Sequence, residues 1–570
     1  MPPKKITFVI FLIMKALKIT FISYFLLISC YLMAVNERPP KYEYRGVWVT
    51  TIENLDWPRT RVVHPSDTLL QQRELVLLLD SLQSLNVNTV LLQARVRGDV
   101  IYPSSIEPYS HVLTGIEGKS PGYDALAFAV RECHKRGMQL HAWVVTFPLG
   151  KDEHIKRMGR LSLPRKNSAL CTHYNGNWYM EPGNPATAQY LCRLASEITA
   201  NYDIDGLHLD YVRYPDRTNG YPDSRLHRQH GKGKSLAAWR RANVTHVVRE
   251  VYKTVKAIKP WVRVTCAPLG KYGDLASYSS YGWDAYNAVF QEAQEWVREG
   301  IMDALFPMLY FKGNNFYPFV LDWQENACGR HIAPGVGVYR LLSEYGGWPA
   351  LEIKRQLLTS RSAGTAGSLL FRARHLYENA GGAADVYASV YKHPAFVPPM
   401  DWCDVPLPAT PPSFVVERSG AAFSLSWGAV EQPQGYPATK YNVYASVGDS
   451  VIIDAVENVI CAGTNSLTFE WNCLTSKAVS FAVTAVDAFG RESAPACYYF
   501  SAAEEPAELL MPEPYTWGMR LGVYDAYGRA VYIGRYSTRL SVGGLYPGYY
   551  LIKVMDRDGV VLSTRWYLKR

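Results

Sequence analysis

The segment Asp205-Gly-Leu-His-Leu-Asp210-Tyr-Val-Arg-Tyr-Pro215 holds the side chains of strongest chemical character in the chain. Read as a strand, its period of two sends Asp205, Leu207, Leu209 and Tyr211 to one face and His208 and Asp210 to the other. Asp210 follows an apolar strand core directly, so its carboxylate is expected at the mouth of a parallel sheet. There it would act as nucleophile or base, or pair with Arg213 or Arg97 as a structural anion. His208 sits one layer deeper and suits a hydrogen-bonded core histidine better than a base.

Such a residue needs a sheet to present it. Candidate strands are Tyr44–Thr50, Thr89–Arg95, Gln139–Thr146, Gly206–Val212, Arg263–Leu269, Ala304–Phe311, Pro334–Tyr339 and Ser368–Ala373. Helical periodicity falls between them, at Leu69–Leu85, Ala125–Lys135, Ala186–Ala200, Leu236–Ile258 and Glu352–Ser360. This alternation predicts an α/β fold, a (β/α)8 TIM-type barrel over residues 42–400. A doubly wound sheet is the alternative, and the Gly-rich phosphate turn typical of it is missing.

Prolines crowd residues 398–412, a composition suited to a stiff linker, and beyond them the period switches to two. Residues 411–502 predict a small β-sandwich, and residues 515–570 a second small all-β domain. In the first, Trp427, the Tyr441-x-Val443-Tyr444 strand and Val483-Ala485-Asp487-Gly490 together resemble a fibronectin type III module. In the second, YDAYGR, LSVGGLYPGYYLIKVMDRDG and the closing YLKR resemble the C-terminal sorting domains of proteins exported by the type IX system; a plain accessory β-sandwich is the alternative.

Composition narrows the partners. The 570 residues are 48% hydrophobic and 19% charged, which excludes a disordered or collagen-like chain. The formal charge of +9 includes four lysines of the N-terminal leader and no basic run, so nucleic acid is not an expected partner. Residues 1–35 read as a secretory signal with a charged head and an apolar core. A membrane anchor is the alternative reading, as is a lipoprotein leader acylated, and so attached to the membrane, at Cys30. Export to the periplasm, outer membrane or cell surface is expected; the oligomeric state is left open. The cysteines lack C-x-x-C pairing, and Cys461 with Cys473 or Cys497 is the nearest candidate bridge. No metal ligand set and no cofactor is expected.

The runs YRGVWVTTIENLDWP, LNVNTVLLQARVRGDVIYPS, LTGIEGKSPGYDALAFAVRECHKRGMQLHAW, EPGNPA, YDIDGLHLDYVRYP and GIMDALFPMLYF, in this order, resemble the glycosyl-hydrolase-like family 10 barrel. The resemblance implies a secreted or envelope hydrolase acting on a polysaccharide, some relatives acting on the glycan strands of peptidoglycan. It places the strand-four acid at Asp210, the strand-two Gln, Arg and Asp at Gln93, Arg97 and Asp99, and the strand-six Tyr at Tyr310. Tyr211 stands where many relatives have a second Asp, and Glu181 where Asn or Asp is common. The last acid of the chitinase pattern would fall on Val212, which disfavours that mechanism.

Glycoside hydrolysis generally uses two carboxyl groups, one to protonate the leaving oxygen and one to attack the sugar or activate water. Asp210 suits the second task, because a carboxylate near Arg213 or Arg97 is expected to stay ionised. For the acid, Asp99, Asp56, Glu53, Glu181 and Asp274 remain in play; a loop hydrogen bond for Asp99 and a turn cap for Asp56 are the structural alternatives. Trp178 and Tyr214, read as loop aromatics, are candidate sugar-stacking surfaces, whereas Trp48 and Trp143 are as well explained as barrel filling. Arg95, Arg97, Arg213, Arg372 and Arg374 at strand ends suggest carboxylates or phosphates on the glycan. The expectation is an exported glycoside hydrolase without cofactor. The rivals are a catalytically silent glycan-binding protein and, less favoured, a membrane-tethered scaffold.

Overall fold

The computed structural model describes residues 39–569 apart from 279, 281, 282, 420, 421, 474, 476, 502–507, 512–517 and 543. The leader, with Cys30, and the outer boundaries expected at 502 and 515 therefore lie outside the described residues. Strands of the N-terminal part are β1 (Tyr44–Val49), β2 (Thr89–Arg95), β3 (Gln139–Val145), β4 (Pro148–Lys151), β5 (Cys171–Tyr174), β6 (Asn177–Met180), β7 (Gly206–Asp210), β8 (Arg263–Cys266), β9 (Ala304–Leu305), β10 (His331–Ile332), β11 (Gly335–Gly337) and β12 (Gly367–Phe371). Of these, β4, β6 and β5 form a small antiparallel sheet. The other nine form one parallel sheet in the order β10-β9-β8-β7-β3-β2-β1-β12-β11.

The sheet curls until its two edges are consecutive pieces of one segment. Ala333 N donates to the Leu305 carbonyl and Gly335 N to the Pro307 carbonyl, while Leu369 N donates to the Pro334 carbonyl, so residues 333–335 are hydrogen-bonded on both sides. Pro334 lacks an N–H and separates β10 from β11, and the strand expected over Pro334–Tyr339 is shortened to Gly335–Gly337. Pro307 similarly shortens the expected Ala304–Phe311 strand to two residues. β1 and β2 are buried along their whole length, as a parallel sheet covered on both faces requires. Tyr44, Trp48, Leu91, Trp143, Phe306 and Leu369 pack together on the inner face. Outside, Val47, Val49 and Leu92 join Leu75, Leu79 and Leu82 of helix α1 (Asp67–Ser84). Gly46 is required on the inner face, since a Cβ there would come within 2.5 Å of Leu369.

The covering helices start where sequence says they should. In α2 (Ala125–His134) Asp124 accepts from Ala127 N, and a short α3 (Asp152–Met158) follows β4. α4 (Pro185–Asn201) is capped by Asn184, and α5 (Leu236–Ile258) by Ser235, before α6 (Ala350–Ser362) leads into β12.

Beyond residue 411, strands β13 (Val415–Ser419), β14 (Ala422–Ser426), β15 (Lys440–Val447), β16 (Val459–Thr464), β17 (Thr468–Asn472), β18 (Val479–Val486) and β19 (Ala496–Phe500) make two antiparallel sheets, β13-β14-β17 and β16-β15-β18-β19. The sheets share one core containing Phe423, Trp427, Tyr441, Val443 and Phe481. Cys461, Cys473 and Cys497 are free thiols, so neither candidate bridge is formed. The last strands are β20 (Glu508–Leu510), β21 (Arg520–Asp525), β22 (Ala530–Arg535), β23 (Arg539–Ser541), β24 (Gly548–Met555) and β25 (Val561–Lys569). They form a β20-β23 pair and a four-stranded sheet around Leu521, Val523, Ile552 and Val554.

The proline-rich stretch is not a free spacer. Met400 N donates to the Phe489 carbonyl, and Arg491 donates to the carbonyls of Cys403 and Val405 while Asp487 holds its Nε. A buried carboxylate completes the joint. Glu492 pairs with Lys41 at 2.9 Å and accepts hydroxyls of Tyr42, Tyr444 and Thr484 at 2.6–2.7 Å. Burial pushes the Glu492 carboxyl up, but the Thr484 and Tyr42 hydroxyls and the Lys41 ammonium outweigh it and hold the group below its ordinary 4.5. The stabilisation is therefore present above pH 4.5 and lost as pH falls through the native value. Glu492→Gln is expected to cost about 3 kcal/mol at pH 7, because Lys41 is left buried without its partner. In urea melts the difference from wild type should shrink below pH 4.

Candidate active site

β7 ends at Asp210 because Tyr211 turns left-handed, with φ of 50°; the strand expected to run to Val212 stops there. That turn aims the Tyr211 N–H at Asp210 Oδ1, 2.7 Å away. From the neighbouring strand, β3, the Trp143 indole Nε1 donates to Oδ2 at 3.0 Å. Trp143 is thus a partner of the carboxylate, a role its apolar surroundings in sequence did not reveal. Asp210 is only 5% exposed. Burial pushes its carboxyl up to about 6, against the pull of the Arg213 guanidinium, the Tyr211 amide, the Trp143 indole and Arg97. Burial thus outweighs the two cations, and the carboxylate, expected to stay ionised, takes up its proton closer to neutral pH than an ordinary Asp.

The layer beneath is fixed. Trp48 Nε1 donates to His208 Nε2 at 3.2 Å, so Nδ1 carries the proton and donates to Thr265 Oγ1 at 2.9 Å. Burial pushes His208 far below the usual histidine range and keeps it neutral. With both nitrogens occupied and no exposure, His208 is a hydrogen-bonded support under Asp210 with no nitrogen left for a substrate.

Next to Asp210 opens a cavity of about 250 Å³, lined among others by Arg97, Tyr174, Tyr179, Tyr211, Arg213 and Asp216. The Arg213 guanidinium lies 4.6 Å from the Tyr211 ring and 5.3 Å from Trp283, donates to the Asp216 carboxylate, and leaves a buried Nε without a partner. Tyr310 stacks on Phe371 at 5.3 Å; burial and the Asp210 charge push its hydroxyl up. Asp210, Arg97, Arg213 and Tyr310 are therefore brought together. Asp216, 61% exposed three residues after Arg213, is the carboxylate that sequence reasoning missed; its signal was membership of the same strand-four loop.

The other candidates lie elsewhere. Asp56 pairs with Arg372 at 2.6 Å and accepts from Thr50 N, Thr50 Oγ1 and Arg374 N, so both its oxygens are engaged in knitting loops together. Asp99 is fully buried, and its Oδ1 accepts from Arg97 N at 2.7 Å, folding the turn that carries Arg97. Glu181 is buried, its oxygens taking Thr172 Oγ1, Tyr221 OH and Gly183 N. Burial pushes it up against these donors, and it is not part of the lining of the cavity beside Asp210. Gln93 is buried too, its Oε1 accepting from Thr51 N and Ile52 N to hold the loop after β1. Tyr214 belongs to the cavity lining, but as a buried loop residue whose hydroxyl accepts from Asn243 and whose ring packs edge-on against Tyr221 and Phe290, so its ring is not an open stacking face. Trp178 belongs to β6, where Nε1 donates to Asp152 and the ring meets His173. Among the arginines, Arg95 is buried with Glu107, Arg372 is taken by Asp56 and Arg374 by Glu378, leaving Arg97 and Arg213 for a ligand.

The model of the family described as glycosyl hydrolase-like 10 matches residues 43–341. The glycosyl hydrolase YngK of Bacillus subtilis (strain 168) is 30% identical over 65% of this chain and 76% of its own length. The glycosyl hydrolase DigH of Escherichia coli (strain K12) is 28% identical over 58% of this chain and 83% of its own. Among solved structures, the glycoside hydrolase domain of PgaB (BpsB) from Bordetella bronchiseptica is 14% identical, with a TM-score of 0.41 over 62% of this chain and 99% of that one.

The raised Asp210 value makes a stability prediction. Between pH 3.8 and about 6 the native state binds more protons than the unfolded chain, so wild-type stability falls as pH rises through that window. Asp210→Asn lacks this penalty. From pH 4 to pH 8 the stability difference should move about 3 kcal/mol in favour of the variant; parallel pH profiles of the two proteins in chemical denaturation would contradict the assignment.

Proposed function

Because the chain belongs to the glycosyl hydrolase-like 10 family, we propose that it hydrolyses glycosidic bonds of a polysaccharide, with Asp210 as the central catalytic residue. The observation that carries the reading is a nearly buried carboxyl poised at about 6 beside a cavity lined by arginine and tyrosine. A carboxyl of that value gives a proton to a leaving oxygen and takes one from water near neutral pH. Asp216 is the second carboxyl, since it is the acid of the cavity lining, while Asp56 and Glu181 are engaged in internal hydrogen bonds and Asp99, bonded through Oδ1 alone, is buried outside that lining. Arg97 and Arg213, the latter with its unpartnered Nε, favour a glycan bearing carboxylates; Tyr174, Tyr179 and Trp283 offer ring faces for sugars. The glycan strands of peptidoglycan combine these features.

The same proposal takes the curled sheet as a (β/α)8 barrel whose residues 333–335 close the ring, with the site at the C-terminal ends of its strands. Residues 411–502 act as a fibronectin type III-like module and 515–570 as a sorting or accessory domain, on a chain exported by its leader. The opposing reading, a silent glycan-binding protein, draws on the exposure of Asp216, which leaves Asp210 as the one buried acid at the mouth.

Purified peptidoglycan sacculi, intact and stripped of stem peptides, and a panel of neutral and uronic-acid glycans discriminate these readings by mass spectrometry of released fragments. Wild type should release fragments. Asp210→Asn should lower the rate at least 10³-fold, Asp216→Asn at least 10²-fold. Binding without fragments, equal for wild type and variants, would establish the silent protein. The rate should decline above pH 6 if Asp210 is the acid and below pH 6 if it is the base. Arg213→Ala should raise KM for acidic glycans alone.

A further inference from the structure

Among the described residues, one group of histidine and carboxylate side chains is compact enough to share an ion, and it lies outside the cavity lining. His111, Glu117 and His154 place one ligand atom each within 4.8 Å of one another. His111 and Glu117 belong to the loop between β2 and α2, and His154 to α3, so the group joins the loops that follow two neighbouring strands of the sheet. Their spacing in sequence matches no metal motif; the fold alone assembles them.

Three observations point to a ligand. Glu117 Oε2 is buried and accepts no hydrogen bond, and buried His111 Nδ1, 3.1 Å from Glu117 Oε1, makes none either. His154 Nε2 lies 3.2 Å from the Arg97 carbonyl, which can only accept, so Nε2 carries the proton and the Nδ1 lone pair faces Glu117 at 3.8 Å. This is how a ligating imidazole is oriented by the group behind it. A cation already occupies the spot: Arg157 places Nε 2.8 Å from Glu117 Oε1 and Nη2 2.8 Å from His154 Nδ1, on a side chain 48% exposed.

We propose that His111 Nδ1, His154 Nδ1 and the Glu117 carboxylate form a binding site for a divalent transition metal of the Zn²⁺ class, with Arg157 as the cation that vacates it. Two imidazoles and one carboxylate suit Zn²⁺ better than Ca²⁺ or Mg²⁺, which prefer all-oxygen shells, and a water completes four-fold coordination. The ion staples the two loops and, through the His154 contact with its carbonyl, fixes the turn that carries Arg97 at the cavity edge. The site is a structural one and stands whether or not the chain cleaves glycans.

The test uses the full mature chain without a histidine tag, stripped by chelator, titrated with Zn²⁺ alone and then with Mg²⁺ and Ca²⁺ in separate calorimetric runs. One equivalent of Zn²⁺ should bind and raise the melting temperature. Glu117→Gln and His111→Ala should each weaken binding at least 30-fold. Arg157→Ala, which spares every ligand and removes the competing cation, should tighten it several-fold. Absence of stoichiometric uptake by both wild type and Arg157→Ala would overturn the proposal, as would uptake that His111→Ala leaves unchanged.

Discussion

Keeping one carboxylate out of water at the end of β7 imposes an order on everything around it. An Asp 5% exposed is tolerable only if its oxygens are met, and they are, by an indole from β3 and by the next residue's amide. The first donor exists because β3 and β7 pair in register, Val145 opposite Asp210. The second exists because Tyr211 adopts a backbone conformation that a β-strand would not give it. Sheet pairing and local strain thus converge on a single acid, and the cost of burying it appears as a proton affinity near neutrality.

The interior of the sheet supplies the rigidity this needs. Trp48, His208 and Thr265 form a closed chain of donors and acceptors under Asp210, and Phe306 lies face to face with the His208 ring at 5.6 Å. A neutral, doubly bonded imidazole has no reason to move, so the carboxylate above it stays where the sheet puts it. At the cavity the opposite holds. Arg213 keeps an unpartnered donor and Asp216 stands mostly in solvent, as groups that wait for a ligand do.

Several acids that look equivalent along the chain are separated by their partners. Asp56 is taken by Arg372, which follows the neighbouring strand β12 near the other end of the chain's N-terminal part, Glu181 by Thr172 and Tyr221, and Asp99 by an amide two residues away. The first two contacts join residues distant in sequence, which no local pattern encodes. The Asp99 contact was foreseeable from the tight Arg97-Gly98-Asp99 turn, since short polar side chains bond to nearby amides. The same contrast separates Asp487 and Glu492, a few residues apart, one folding Arg491 onto the proline-rich segment and the other holding Lys41.

Sequence by itself determined the alternation of strands and helices, the bounds of α5, the change of period after the prolines and the position of Asp210 at a strand end. Each follows from hydrophobic periodicity, a cap or a breaker within a few residues, and such signals are local. Only the tertiary structure decided that Tyr214 is buried and Trp178 is in a strand, and that Asp216 lines the cavity. It also decided that Trp143 reaches Asp210 and that His111, Glu117 and His154 meet. Those outcomes depend on which loops lie side by side once the sheet has curled. Burial, and with it the proton affinity of a carboxyl, is set by neighbours that the chain brings together across tens of residues.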